Sequence, residues 1–205
     1  MPIRVGLYGG SFNPIHHGHL ILARSAAEAL GLLRVVFLPS RQPPHKADGA
    51  LLDANHRAEM VKLAIEGESR FEFSDLDLIR SGPCYTFDTV MRFQRDFGEG
   101  IELCWIIGAD SLVELPTWHR ARELVDACRI VTVRRPGWDE IDWAALGRAF
   151  TATQVERLRG DVIEAPQVEI SSTNIRERVA AGKPISFLLP EAVREYIAER
   201  GLYRE

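Results

Sequence analysis

An apolar run at residues 3–8 stops at Gly9-Gly10, and a helix-patterned run at residues 20–30 follows ten residues later. The first has the character of a strand and the second of a helix. The glycines between them permit a turn in which backbone N–H groups approach an anion closely. This strand-then-helix order repeats. Strand patterns fall at 34–38, 71–75, 102–107, 130–133 and 162–165, and helix patterns at 53–66, 87–97, 120–127 and 142–159. Such alternation predicts an α/β fold, a parallel sheet with helices on both faces. Ligands then bind at the carboxyl ends of the strands. The segments with chemical character follow strands: the Gly9 loop, Pro43-Pro44-His45-Lys46, the Gly108-Ala109-Asp110 turn and Arg134. The last forty residues read as helices only, at 174–181 and from Leu189-Pro190 to 200, and form a small helical C-terminal subdomain. The expectation is one domain, with a core over about 1–165 and the helical part over about 166–205.

A chain of 205 residues buries a sizeable core. Its net charge of −4 argues against a general nucleic-acid partner. Basic residues cluster locally at 41–46, 134–135 and 176–178, which suits a small anionic ligand as well as a solvated surface. Three cysteines without C-x-x-C spacing give no disulfide framework or zinc ribbon, so a reducing cytoplasm is the expectation. No signal peptide and no membrane span are expected. Monomer and homo-oligomer both remain compatible with the sequence.

His16 and His19 lie three apart at the entry to the first helix and share a face. The residues alone admit metal ligation, phosphate contact or packing. Metal ligation needs three or four ligands, and no acidic residue lies in the segment; an imidazolium beside phosphate-binding amides favours phosphate contact. The G-x-G-x-x-G and Walker patterns are absent. Late in the chain, Ser171-Ser172-Thr173 offers hydroxyls and free N–H groups at a helix start, with Arg176 within the first turn. An ordinary cap with a surface arginine is the alternative. Trp118 suits stacking or packing, Thr86 a carboxylate-binding helix start or a plain cap, and Lys46 a phosphate contact or a solvated side chain. Asp110 suits hydrogen bonds from ribose hydroxyls, and Arg134 stacking near a base. His17, His56 and His119 receive no catalytic role.

The segment Gly-Gly-Ser-Phe-Asn-Pro-Ile-His-His-Gly-His at 9–19 resembles the His-x-Gly-His signature of the nucleotidyltransferase superfamily. Ile-Ser-Ser-Thr-Asn-Ile-Arg at 170–176 resembles its second signature, I-S-S-T-x-I-R. Between them, Pro43–Lys46, Tyr85–Thr89, Gly108–Ser111 and Leu115–His119 are similar to the bacterial nicotinate-nucleotide adenylyltransferase branch. The resemblance spans nearly the whole chain in the expected order. It implies a Rossmann-like doubly wound sheet and adenylyl transfer from ATP to nicotinate mononucleotide. The products are nicotinate adenine dinucleotide and pyrophosphate, in NAD biosynthesis. It also implies Mg²⁺ carried by the ATP phosphates, with no protein metal ligands. His16, His19 and Arg176 would then be catalytic. Gly9, Gly10, Ser11, Phe12, Gly108, Asp110, Arg134, Ser172 and Thr173 would join them at ATP, while Lys46, Thr86, Asp110 and Trp118 would hold the mononucleotide. Asn13 stands where the family often has aspartate and Ser11 where threonine is frequent; both swaps keep hydrogen-bonding ability.

Three other readings compete. One is another acceptor, nicotinamide mononucleotide or phosphopantetheine. The second is a metal-dependent phosphohydrolase built on the histidines, which needs nearby carboxylates. The third is a noncatalytic nucleotide sensor. The recurrence of phosphate-binding parts in two separated motifs disfavours the last two.

Overall fold

The computed structural model describes residues 2–41, 51–80, 82–134 and 141–204. Six strands form one all-parallel sheet in the order β3-β2-β1-β4-β5-β6. They are β1 (Ile3–Gly10), β2 (Arg34–Pro39), β3 (Phe71–Phe73), β4 (Ile101–Gly108), β5 (Arg129–Val133) and β6 (Val162–Ile163). The strand order reverses between β1 and β4, which opens a crevice at their carboxyl ends. The sequence is near-continuously apolar in the central strands because both faces are buried. Side chains alternate between two cores: Tyr8, Phe37, Cys104 and Ile106 on one face, Leu7, Leu38, Trp105 and Ile107 on the other.

The first face is covered by α1 (His17–Leu30), α2 (Ala54–Ile65), α9 (Ser172–Ala180) and α10 (Glu191–Glu199). Ile175, Val193, Ile197 and Leu202 of the C-terminal part pack in the same cluster as Leu22 and Met60, which draws the late helices onto the sheet. The second face is covered mainly by α4 (Thr86–Phe97), α6 (Ala121–Ala127), α7 (Trp143–Ala149) and α8 (Ala152–Gly160). Two short helices, α3 (Leu76–Ile79) and α5 (Ala109–Glu114), carry no sequence signal of their own; α5 continues into a 3-10 turn, Leu115–Thr117.

Several boundaries differ from the sequence reading. The helix expected over 142–159 is two helices. The sequence pattern is interrupted weakly at Gly147, but the break falls at Phe150-Thr151, because Thr151 and Gln154 form a reciprocal capping box that starts α8. Tyr85, not Thr86, is the N-cap of α4. Pro190 likewise caps α10 rather than occupying its first turn. All three cysteines are free and buried, and burial pushes the Cys104 and Cys128 thiols up to about 12. No helix among the described residues is long and apolar enough to cross a membrane.

Candidate active site

The crevice holds two cavities. The larger, about 790 Å³, is lined by the β1–α1 loop, the starts of α4 and α9, and the segment around Trp118. The smaller, about 520 Å³, lies between α1, Arg134 and residues 165–171. They share His16, Asp110, Ile170 and Ser171. One ligand in each would therefore meet at that common wall.

The β1–α1 loop is built for close approach. A Cβ on Gly9 would lie 2.5 Å from the Trp105 indole, and one on Gly10 would lie 3.0 Å from the Phe12 ring. Phe12 itself adopts φ +44°, a strained left-handed conformation for a bulky residue. His16 is almost fully buried and is the N-cap of α1; its ring stacks on His19 with centroids 3.7 Å apart. A Cβ on Gly18 would come within 3.0 Å of His16 Nδ1, so the glycine of His-x-Gly-His makes room for the first histidine. The His16 backbone N–H donates to His19 Nδ1 at 3.2 Å. That bond needs a lone pair on Nδ1, which places the His19 proton on Nε2. In this geometry His19 Nε2 is the ring nitrogen left to donate to a ligand.

The start of α9 is fastened to this loop. Ser171 caps the helix by accepting from the Asn174 N–H at 3.1 Å. Ser172 Oγ donates to the Pro14 carbonyl at 2.9 Å. Arg176 donates through Nη1 to the Asn13 carbonyl at 2.8 Å and through Nη2 to Thr173 Oγ1 at 3.2 Å. The three hydroxyls of Ser-Ser-Thr therefore have three different local duties. The Ser172 and Thr173 backbone N–H groups and the remaining Arg176 donors are left to face an anion.

Across the larger cavity, α4 begins without a side-chain cap bond, so its first-turn N–H groups have no capping partner. Thr86 stands at its first position rather than acting as the cap. Trp118 follows the 3-10 turn, packs against the second core, and buries Nε1 with no hydrogen-bond partner. Asp110 lies in the first turn of α5, next to the Gly108 N-cap, and its Oδ1 is likewise buried and unpartnered. Orphaned polar atoms of this kind in a cavity wall indicate a ligand partner. In the smaller cavity, Arg134 pairs with Glu164 at 3.1 Å and leaves Nε buried without a partner.

Gly9, Gly10, Ser11, Phe12, His16, His19, Gly108, Asp110, Thr86, Trp118, Ser172, Thr173 and Arg176 all line the larger cavity, and Arg134 lines the smaller. Lys46 lies outside the described residues. Sequence reasoning passed over His119, which lines the larger cavity with its ring stacked on Tyr85 at 4.3 Å. His56, assigned no catalytic role from the sequence, places Nδ1 2.8 Å from the Tyr196 hydroxyl of α10. Arg57 and Tyr203, which hold the loop from behind, gave no sequence signal.

A model of the cytidylyltransferase-like family matches residues 7–178. The chain belongs to that family. Among its relatives is a probable nicotinate-nucleotide adenylyltransferase of Moorella thermoacetica, 44% identical over 204 residues, covering 99% of this chain and 93% of that protein. Another, with the same name in Thermomicrobium roseum, is 41% identical over 201 residues, covering 98% of this chain and 92% of that protein. The nicotinic acid mononucleotide adenylyltransferase of Plasmodium falciparum complexed with NaAD superposes with a TM-score of 0.76 at 20% identity. That superposition covers 98% of this chain and 97% of the other, and the two share the fold of this cytidylyltransferase-like protein.

Proposed function

We propose that the chain transfers the adenylyl group of ATP to nicotinate mononucleotide, giving nicotinate adenine dinucleotide and pyrophosphate. It is a nucleotidyltransferase of NAD biosynthesis. The observation that carries this reading is the pair of cavities meeting at His16, Asp110, Ile170 and Ser171, beside the start of α9. A transfer between two nucleotides needs such a junction, where the acceptor phosphate and the α-phosphorus of ATP come within reach. Relatives above 40% identity carry the corresponding name.

The chemistry is in-line displacement. A 5′-phosphate oxygen of the mononucleotide attacks the α-phosphorus, and the bond to the bridging oxygen of pyrophosphate breaks. The attacking oxygen is already anionic, so no residue need act as base. The protein's part is positioning and charge stabilisation. His19 Nε2–H, the Arg176 guanidinium and the first-turn N–H groups of α9 supply donors to the triphosphate. Asp110 accepts from ribose hydroxyls, Arg134 stands beside the base, and Trp118 stacks on the pyridine ring with the α4 start at its carboxylate. No group of three metal-ligating side chains occurs among the described residues. We read Mg²⁺ as an ion carried on the ATP phosphates with its water shell, where it would neutralise phosphate charge. Free, buried thiols support a cytoplasmic setting. We read residues 1–205 as one working unit, monomeric or homo-oligomeric.

Pyrophosphate release with ATP and Mg²⁺ tests the reading, with nicotinate and nicotinamide mononucleotides offered side by side. A strong preference for the acid is expected. Equal use of both discards the α4 account of specificity, and release with neither discards the reaction.

A further inference from the structure

Arg57 of α2 is fully buried, and no carboxylate lies within ion-pair distance of it among the described residues. An unpaired buried guanidinium is costly, and burial lowers its pKa from the ordinary arginine value. What it has instead of a carboxylate is backbone. Nη1 donates to the Ser11 carbonyl at 2.7 Å, Nε to Leu52 at 2.8 Å and Nη2 to Arg41 at 3.3 Å. One side chain thus ties the loop after β1, the chain leaving β2 and the approach to α2.

The bond to Ser11 has a directional consequence. In a trans peptide the C=O and the following N–H point in opposite directions. Drawing the Ser11 carbonyl toward buried Arg57 sends the Phe12 N–H the other way, and Ser11 and Phe12 both line the larger cavity. Two more contacts hold the same stretch. The Tyr203 hydroxyl donates to Asn13 Oδ1 at 2.8 Å, and Arg176 holds the Asn13 carbonyl. Phe12, between these fixings, keeps a left-handed backbone that a bulky residue does not hold unaided. Behind the loop sits the Arg57 cation, held by backbone carbonyls, in a low-dielectric setting that favours an anion in front.

We propose that Arg57 and Tyr203 are positioning residues for phosphate binding, holding the Ser11–Asn13 backbone in its anion-accepting form through the Ser11 carbonyl and the Asn13 carboxamide. Neither touches the ligand. The inference rests on the phosphate-site reading above.

The test is calorimetric binding of two probes to the full chain: inorganic pyrophosphate with Mg²⁺, and adenosine, which carries no phosphate. Tyr203→Phe is expected to weaken pyrophosphate about fivefold, the worth of one hydrogen bond. Arg57→Gln is expected to weaken it about tenfold or more, with Arg57→Lys in between because it keeps the charge. Adenosine affinity stays at the parent value in all three. A parallel loss of adenosine binding marks a merely structural role and overturns the inference. So does pyrophosphate affinity unchanged in Tyr203→Phe and Arg57→Gln. If Arg57→Gln does not fold, Tyr203→Phe decides by the same two readouts. A parent chain that binds no pyrophosphate overturns the phosphate-site reading, and this inference with it.

Discussion

The two sides of the larger cavity are organised in opposite ways. On the β1–α9 side, polar groups are tied to one another: His16 N–H to His19, Ser172 to Pro14, Arg176 to Asn13 and Thr173, Arg57 to Ser11. On the α4–Trp118 side, polar groups are left open: the uncapped start of α4, Trp118 Nε1 and Asp110 Oδ1. The first side is fixed before any ligand arrives, as charge stabilisation without reorganisation demands. The second holds its hydrogen-bonding capacity in reserve, so that recognition is completed only by the substrate.

His19→Ala breaks the fixed side and carries the largest expected effect. Turnover should fall about 10²–10³-fold, the scale for removing a preorganised donor, with the mononucleotide KM little changed. Steady-state kinetics on a variant with parent-like circular dichroism settle this; a near-parent kcat would remove His19 from the chemistry. Trp118→Ala attacks the open side. It should raise the mononucleotide KM about tenfold through lost stacking, while kcat holds. A shift in kcat with KM unmoved would reverse the roles assigned to the two sides.

The smallest effect sharpens the contrast through stability. Asp77 is a buried wall residue of the larger cavity on the open side, and its Oδ1 accepts from Thr89 Oγ1 at 2.7 Å. Burial raises its carboxyl above the ordinary 3.8, and the Thr89 bond offsets only part of that rise. In the unfolded chain the group ionises near 3.8, while the folded form resists. Stability therefore falls as pH climbs from there through the raised folded value, and stays lower above it. Asp77→Asn keeps the acceptor and removes the charge. Its Tm should rise by about 2 °C at neutral pH and not at about pH 3, in thermal scans at both. An equal change at the two pH values would assign the effect to packing.

The sheet was legible because the central strands are near-continuous apolar runs and α1, α2 and α4 have a side-chain cap or a glycine stop. The phosphate side was legible for a related reason, since its residues fall in two short contiguous runs, Gly9–His19 and Ile170–Arg176. What sequence reading passed over acts at a distance. Arg57 looks like any helix arginine until α2 buries it, and Tyr203 is 190 residues from Asn13. The His19 tautomer depends on a backbone N–H whose direction only the turn fixes. The α7–α8 break escaped because Gly147 was the conspicuous interruption, whereas a capping box set the boundary.

The tie between Asn13 and Tyr203 has a bearing on biosynthesis. The loop proposed to receive the phosphates is synthesised well before one of its fasteners, which follows 190 residues later. An abortive product ending after α9 would carry both signature motifs and all six strands of the sheet, yet lack this bond. On the proposed reading, such a fragment should bind nucleotide more weakly than a chain translated through Tyr203.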